Sequence, residues 1–87
     1  VQLKVVVPDT SKIKNTPDQA RCTAPVGLQQ RIDGIVSGLG DAAARSFVRP
    51  SGTEPIVRVY AEASSLEAMR QLGKDVSDAV VAALAQE

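Results

Sequence analysis

Ser46-Phe47-Val48-Arg49-Pro50-Ser51-Gly52-Thr53-Glu54-Pro55-Ile56-Val57-Arg58-Val59-Tyr60 decides the fold and carries most of the chain's unusual chemistry. Two β-type runs, Ala44 to Arg49 and Ile56 to Ala63, flank a polar stretch framed by Pro50 and Pro55, the pattern of two strands joined by a shaped loop. In the second run Val57, Val59, Ala61 and Ala63 share one face, and Ile56, Arg58, Tyr60 and Glu62 share the other. Arg58 therefore points away from the core-forming face. The loop holds parts that suit a phosphate. A guanidinium at its entry, Arg49, can bond two oxygens at once, Gly52 lets the backbone approach an anion with no Cβ in the way, and Ser51 and Thr53 add small neutral donors. Arg58 closes the same site from the outgoing strand. Pro, Ser, Gly and Thr are also what ordinary turns require, so the residues alone leave two readings, a plain turn and an anion site.

Upstream, Val1, Leu3, Val5 and Val7 alternate with Gln2, Lys4 and Val6, the signature of a half-buried strand that Pro8-Asp9 ends. Residues 9 to 25 are rich in turn formers and read as loop, with a short extended piece near Gln19 to Thr23. Pro25 opens a segment in which Leu28, Ile32, Ile35 and Leu39 recur at helical spacing, with Gly38 and Gly40 as terminators. Gly34 in its interior implies either close packing or fraying. Downstream, Ser64-Ser65-Leu66-Glu67 reads as a capping box with Ser64 as N-cap, ahead of a helix that buries Leu66, Met69, Leu72 or Gly73, Val76, Val80 and Leu84. The expected fold is α+β, a small mainly antiparallel sheet with two helices packed on one face.

The 87 residues suit one domain with a modest core. Ten Lys plus Arg balance ten Asp plus Glu, so the chain lacks the overall positive field that nonspecific nucleic-acid or membrane-surface binding relies on. Phe47 and Tyr60 are its only aromatics, too few for a stacking platform for single-stranded nucleic acid. Without histidine there is no imidazole base and no His ligand for a metal, and Ser51 has no paired base within sequence reach. No catalytic residue and no metal ligand is expected here. The lone Cys22 reads as an ordinary thiol, Lys4, Lys12 and Lys14 as solvated charges, and Arg45 as a weak candidate to supplement the anion site. No apolar run approaches the roughly 20 residues that span a bilayer, and a reducing, cytoplasmic setting is the expectation. A chain that opens inside a strand reads as a piece of something longer.

The run from Ser46 to Pro55, continued by Val57-Arg58-Val59-Tyr60-Ala61-Glu62-Ala63, closely resembles the C-terminal, fourth domain of the α-D-phosphohexomutases. Within them it is most similar to the phosphoacetylglucosamine mutase branch, as is Pro25 to Gln29, Pro-x-Gly-Leu-Gln, and the likeness extends over the whole chain. The resemblance implies that residues 1–87 form a single mobile, phosphate-binding lid domain of a larger multidomain enzyme. That enzyme would interconvert N-acetylglucosamine 6-phosphate and N-acetylglucosamine 1-phosphate through a phosphoserine and a bisphosphate intermediate. Arg49, Ser51, Gly52, Thr53 and Arg58 are the positions that match the family's phosphate grip. The resemblance further implies Mg²⁺ bound outside this domain, the other domains of the same chain and a phosphosugar as partners, and an isolated domain that is inactive. From another class, the competing expectation is a freestanding module that binds a phosphorylated ligand without catalysis.

Overall fold

The computed structural model describes residues 2–7, 10–18 and 21–85. Five strands and two helices follow in order: β1 Gln2–Val6, β2 Lys14–Asn15, β3 Cys22–Ala24, α1 Leu28–Gly38, β4 Arg45–Pro50, β5 Ile56–Glu62 and α2 Leu66–Ala85, with a 3-10 turn at Thr10–Lys12. The main sheet is fully antiparallel in the order β1-β5-β4, and β2 and β3 form a separate two-stranded ribbon. The expected α+β fold with two helices and a small antiparallel sheet is what the chain adopts.

Period-2 alternation decides which side of the sheet is covered. Val57, Val59 and Ala61 of β5 are fully buried, as is Val48 of β4, and they meet Ile32 of α1 and Leu72, Val76 and Val80 of α2 in one core. The opposite side chains of β1, Gln2, Lys4 and Val6, are exposed. Gly73 brings α2 close to the sheet: a Cβ there would stand 2.8 Å from Leu3 Cδ1 and 3.7 Å from the Ala61 Cβ. The small ribbon adds Cys22 to the core and touches the outer edge of β4, where Asn15 Nδ2 donates to the Val48 carbonyl at 2.8 Å and occupies an acceptor that an edge strand would otherwise leave bare.

Several local expectations change. The first helix starts at Leu28 rather than Pro25, because Leu28 N–H turns back to the Pro25 carbonyl and Gly27 lies at φ 90°. Gly40, at φ 70°, follows its end as expected, whereas Gly38 is still helical. Gly34 is exposed with nothing within 4 Å of a Cβ position, so close packing does not explain it. The extended piece expected near Gln19 to Thr23 appears as β3, and Gln19, Ala20, Val1, Pro8 and Asp9 lie outside the described residues.

The second helix is capped one residue later than its sequence pattern indicates. Ser65, not Ser64, is the N-cap: its Oγ accepts from the Ala68 amide at 3.1 Å, which moves Glu67 to the second helical position and leaves no capping box. Ser64 is drawn away instead by Asp41, whose carboxylate accepts from both the Ser64 amide, at 2.9 Å, and its hydroxyl, at 2.6 Å. With the start shifted, Leu66 is half exposed and Ala79 joins the buried stripe.

Candidate functional site

The loop between β4 and β5 is held by its own backbone. The Ser51 amide donates to the Ile56 carbonyl at 2.9 Å, the Ile56 amide donates to the Glu54 carbonyl at 2.8 Å, and the Val7 amide ties the Pro55 carbonyl to the end of β1. Inside that frame Ser51 Oγ accepts from the Thr53 and Glu54 amides at 3.3 and 3.2 Å. Ser51 thus shapes the turn as an acceptor, and its single O–H remains the group it can offer to a ligand. Gly52, Thr53 and Glu54 are exposed at the tip. Gly52 has no left-handed φ, and nothing stands within 4 Å of where its Cβ would be. Neither backbone conformation nor packing requires glycine at this position.

Strand register decides the electrostatics. Arg49 lies directly opposite Arg58 across the β4–β5 pair, and on the other side of β5 Arg58 lies directly opposite Lys4 of β1. Directly opposed residues point to the same face about 5 Å apart, so three cations form one row across the bare side of the sheet, at the end that carries the loop. Among the described residues no carboxylate comes within 4.0 Å of any of the three. Like charges in direct opposition disfavour the fold by up to roughly 1 kcal/mol per pair, so this row is not a stabilising device.

The next row away from the loop is Gln2, Tyr60 and Phe47. The Phe47 and Tyr60 rings stack at 4.6 Å between centroids with 17° between planes, and the Arg49 guanidinium carbon lies 5.2 Å from the Phe47 centroid and 5.8 Å from that of Tyr60. Tyr60 OH accepts weakly from Gln2 Nε2 at 3.4 Å.

The structure brings Arg49, Ser51, Gly52, Thr53 and Arg58 into one region, the loop and the strand residues at its base. It separates Arg45, which sits at the far end of β4 beside Glu62 with 3.5 Å between Nε and the carboxylate. Glu54 balances no arginine within 4.0 Å and contributes to the turn through its backbone. Two further residues of this face lie beside the candidate site. Lys4 is exposed, in keeping with a solvated charge, and Phe47 is half-buried; the alternation gives the side of the strand each faces, but the rows they join exist only through pairing of β1, β5 and β4.

Elsewhere, burial pushes the Cys22 thiol up to about 11, against a smaller opposing effect of Arg21, so the thiol is protonated at neutral pH, as an ordinary thiol would be. Asp33 is held below the usual carboxylate range, first by the hydrogen bond from Gln29 and then by Arg21, which lies 2.9 Å away. Asp41 is likewise lowered, chiefly by the Ser64 hydroxyl. Among the described residues no three Cys, Asp or Glu side chains converge where a metal ion would sit, so they do not fit a resident metal. None of the described helices is long and apolar enough to cross a membrane.

Comparison with known proteins places this geometry. The sequence matches the phosphoglucomutase/phosphomannomutase C-terminal domain over residues 3–79. The phosphoacetylglucosamine mutase of Oryza sativa is 52% identical over 79 residues, and that of Homo sapiens 47% over 79 residues; each alignment covers 91% of this chain and 14% of the relative. Aspergillus fumigatus N-acetylphosphoglucosamine mutase in complex with GlcNAc-6P and magnesium superposes with a TM-score of 0.90 at 38% identity, covering 97% of this chain and 15% of its own. A second solved structure, N-acetylglucosamine-phosphate mutase in its substrate complex, gives a TM-score of 0.84 at 44% identity over 91% of this chain and 14% of its own. The chain thus spans about a seventh of the length of the relatives it matches. Matched by the family over residues 3–79 and superposing on solved relatives along nearly its whole length, it belongs to the phosphoglucomutase/phosphomannomutase C-terminal domain family.

Proposed function

We propose that this chain is the phosphate-binding lid domain of a phosphoacetylglucosamine mutase, acting on N-acetylglucosamine 6-phosphate and N-acetylglucosamine 1-phosphate through a bisphosphate intermediate. The carrying observation is the direct opposition of Arg49 and Arg58 at the base of a loop whose glycine has no structural reason to be there. A phosphoryl dianion between the two guanidinium groups relieves their repulsion and accepts charge-assisted bonds worth about 1.5 to 3 kcal/mol each. The Ser51 hydroxyl and the loop around Gly52 and Thr53 add neutral donors. Binding in the millimolar to micromolar range follows, on the order of 4 to 8 kcal/mol in total.

The site is open and shallow, with its tip residues exposed. That suits a grip that must hold either end of a sugar bisphosphate and release it between steps, and a lid that excludes water when it closes. In this reading bond making and Mg²⁺ binding belong to other parts of a longer polypeptide, and this chain supplies the grip on the phosphate. Other domains of that polypeptide and the phosphosugar are its partners, and a cytoplasmic location fits a soluble metabolic enzyme of this kind.

Titration of this chain with N-acetylglucosamine 6-phosphate, followed by amide NMR, tests the reading. Shifts centred on Ser51 to Thr53 and abolished by Arg49→Ala or Arg58→Ala are expected. Shifts that spare the loop would overturn it.

A further inference from the structure

The stacked aromatic pair beside the cation row has no part in the core and none in the phosphate loop. Phe47 and Tyr60 are paired in register on the bare face of the sheet, and both are half-buried. Arg49, two residues beyond Phe47 on the same face of β4, lays its guanidinium over both rings, at 5.2 and 5.8 Å. An exposed arginine on an edge strand otherwise samples many rotamers, and here it also faces a like charge in Arg58. The π-surface of the stacked pair counters both effects, because it attracts the cation and limits the rotamers it samples. Tyr60 is steadied in turn through its backbone carbonyl, which accepts from Ser46 Oγ at 2.6 Å.

We infer that Phe47 and Tyr60 are positioning residues, a stacked ring pair that restricts where the Arg49 guanidinium lies before the anion arrives. The inference rests on the reading of Arg49 as a phosphate ligand. It adds that phosphate affinity depends on π-surface two strand positions away from the loop, on residues that contact no anion themselves. Preorganisation lowers the entropic cost of binding, and a cation–π contact at an exposed site corresponds to roughly two- to fivefold in affinity.

The experiment measures inorganic phosphate and N-acetylglucosamine 6-phosphate binding to this chain together with ¹⁵N relaxation at Arg49 Nε. Tyr60→Leu and Phe47→Leu are expected to weaken phosphate roughly two- to fivefold and to make Arg49 Nε more mobile in the absence of ligand, while Tyr60→Phe keeps wild-type values of both. In an Arg49→Ala background Tyr60→Leu should cause no further loss, which separates positioning from a general effect on the fold. Equal losses in both backgrounds, or an Arg49 Nε in the unaltered chain as mobile as that of exposed Arg70, would overturn the positioning role. If Arg49→Ala leaves phosphate binding intact, the phosphate-site reading fails instead, and the relaxation data still decide whether the rings order Arg49. Should Tyr60→Leu fail to fold, Phe47→Leu and the relaxation measurement on the unaltered chain decide the matter.

Discussion

The two faces of the three-stranded sheet are built from the same strands by the same alternation, yet they obey opposite rules. On the helix-covered face Val57, Val59, Ala61 and Val48 are removed from water and meet the apolar stripes of α1 and α2. On the bare face Lys4, Arg58 and Arg49 stand in a row with no carboxylate of the described residues within 4.0 Å. One face is complete by itself and accounts for stability. The other places like charges in register, which supports the proposed reading of that face as a ligand surface.

The sharpest break of that contrast is on the covered side. Leu72→Ala empties a fully buried position and should cost about 3 kcal/mol in denaturant unfolding, with phosphate affinity of the folded fraction unchanged. On the bare side Arg58→Gln should leave stability unchanged or raise it by roughly 0.5 kcal/mol, since it removes a charge opposed by two others, while phosphate binding collapses. A clear fall in melting temperature would mean that Arg58 serves the fold after all. Lys4→Gln should have the smallest effect, a severalfold loss of phosphate affinity at low salt that disappears at high ionic strength, where charges are screened within about 3 Å at 1 M. Loss of equal size at all salt concentrations would make Lys4 a direct ligand and not a contributor of field.

A third region tests whether the contrast is confined to the loop end. At the opposite end of the β4–β5 pair the Asp41 carboxylate is filled by donors from Ser64 and Ala43. Its acidity is increased in the folded chain, so its contribution is present above the ordinary carboxyl range and is lost as pH falls through the lowered folded value. Acid unfolding should therefore be steeper in the native chain than in Asp41→Asn, with no change near neutral pH in the response of Ser51 to Thr53 to phosphate. A loop response altered by Asp41→Asn would couple the two ends of the hairpin.

Much of the fold is legible in the chain itself. The alternation of β5 separates Arg58 from Val57 and Val59, the stripe Leu28, Ile32, Ile35 and Leu39 locates α1 to within three residues, and the loop chemistry singles out Arg49, Ser51, Gly52, Thr53 and Arg58 as candidates that the structure gathers in one region. What local pattern misjudged was competition. Ser64 looked like an N-cap because the spacing to Glu67 fits a capping box, but Asp41, 23 residues away, takes both its donors and passes the cap to Ser65. Pro25 looked like a first helical residue until the turn at Gly27 delayed the helix to Leu28.

The sequence by itself determined the strand faces, the two helices and the identity of the polar loop, because those follow from periodicities of two and 3.6 residues and from turn chemistry within a few positions. Only the tertiary structure decided the row Lys4–Arg58–Arg49 and the stacked pair beside Arg49. Both depend on which strands become neighbours and in what register, and register is set by burying the covered face as a whole. A slip of one residue would send every one of these side chains to the other side.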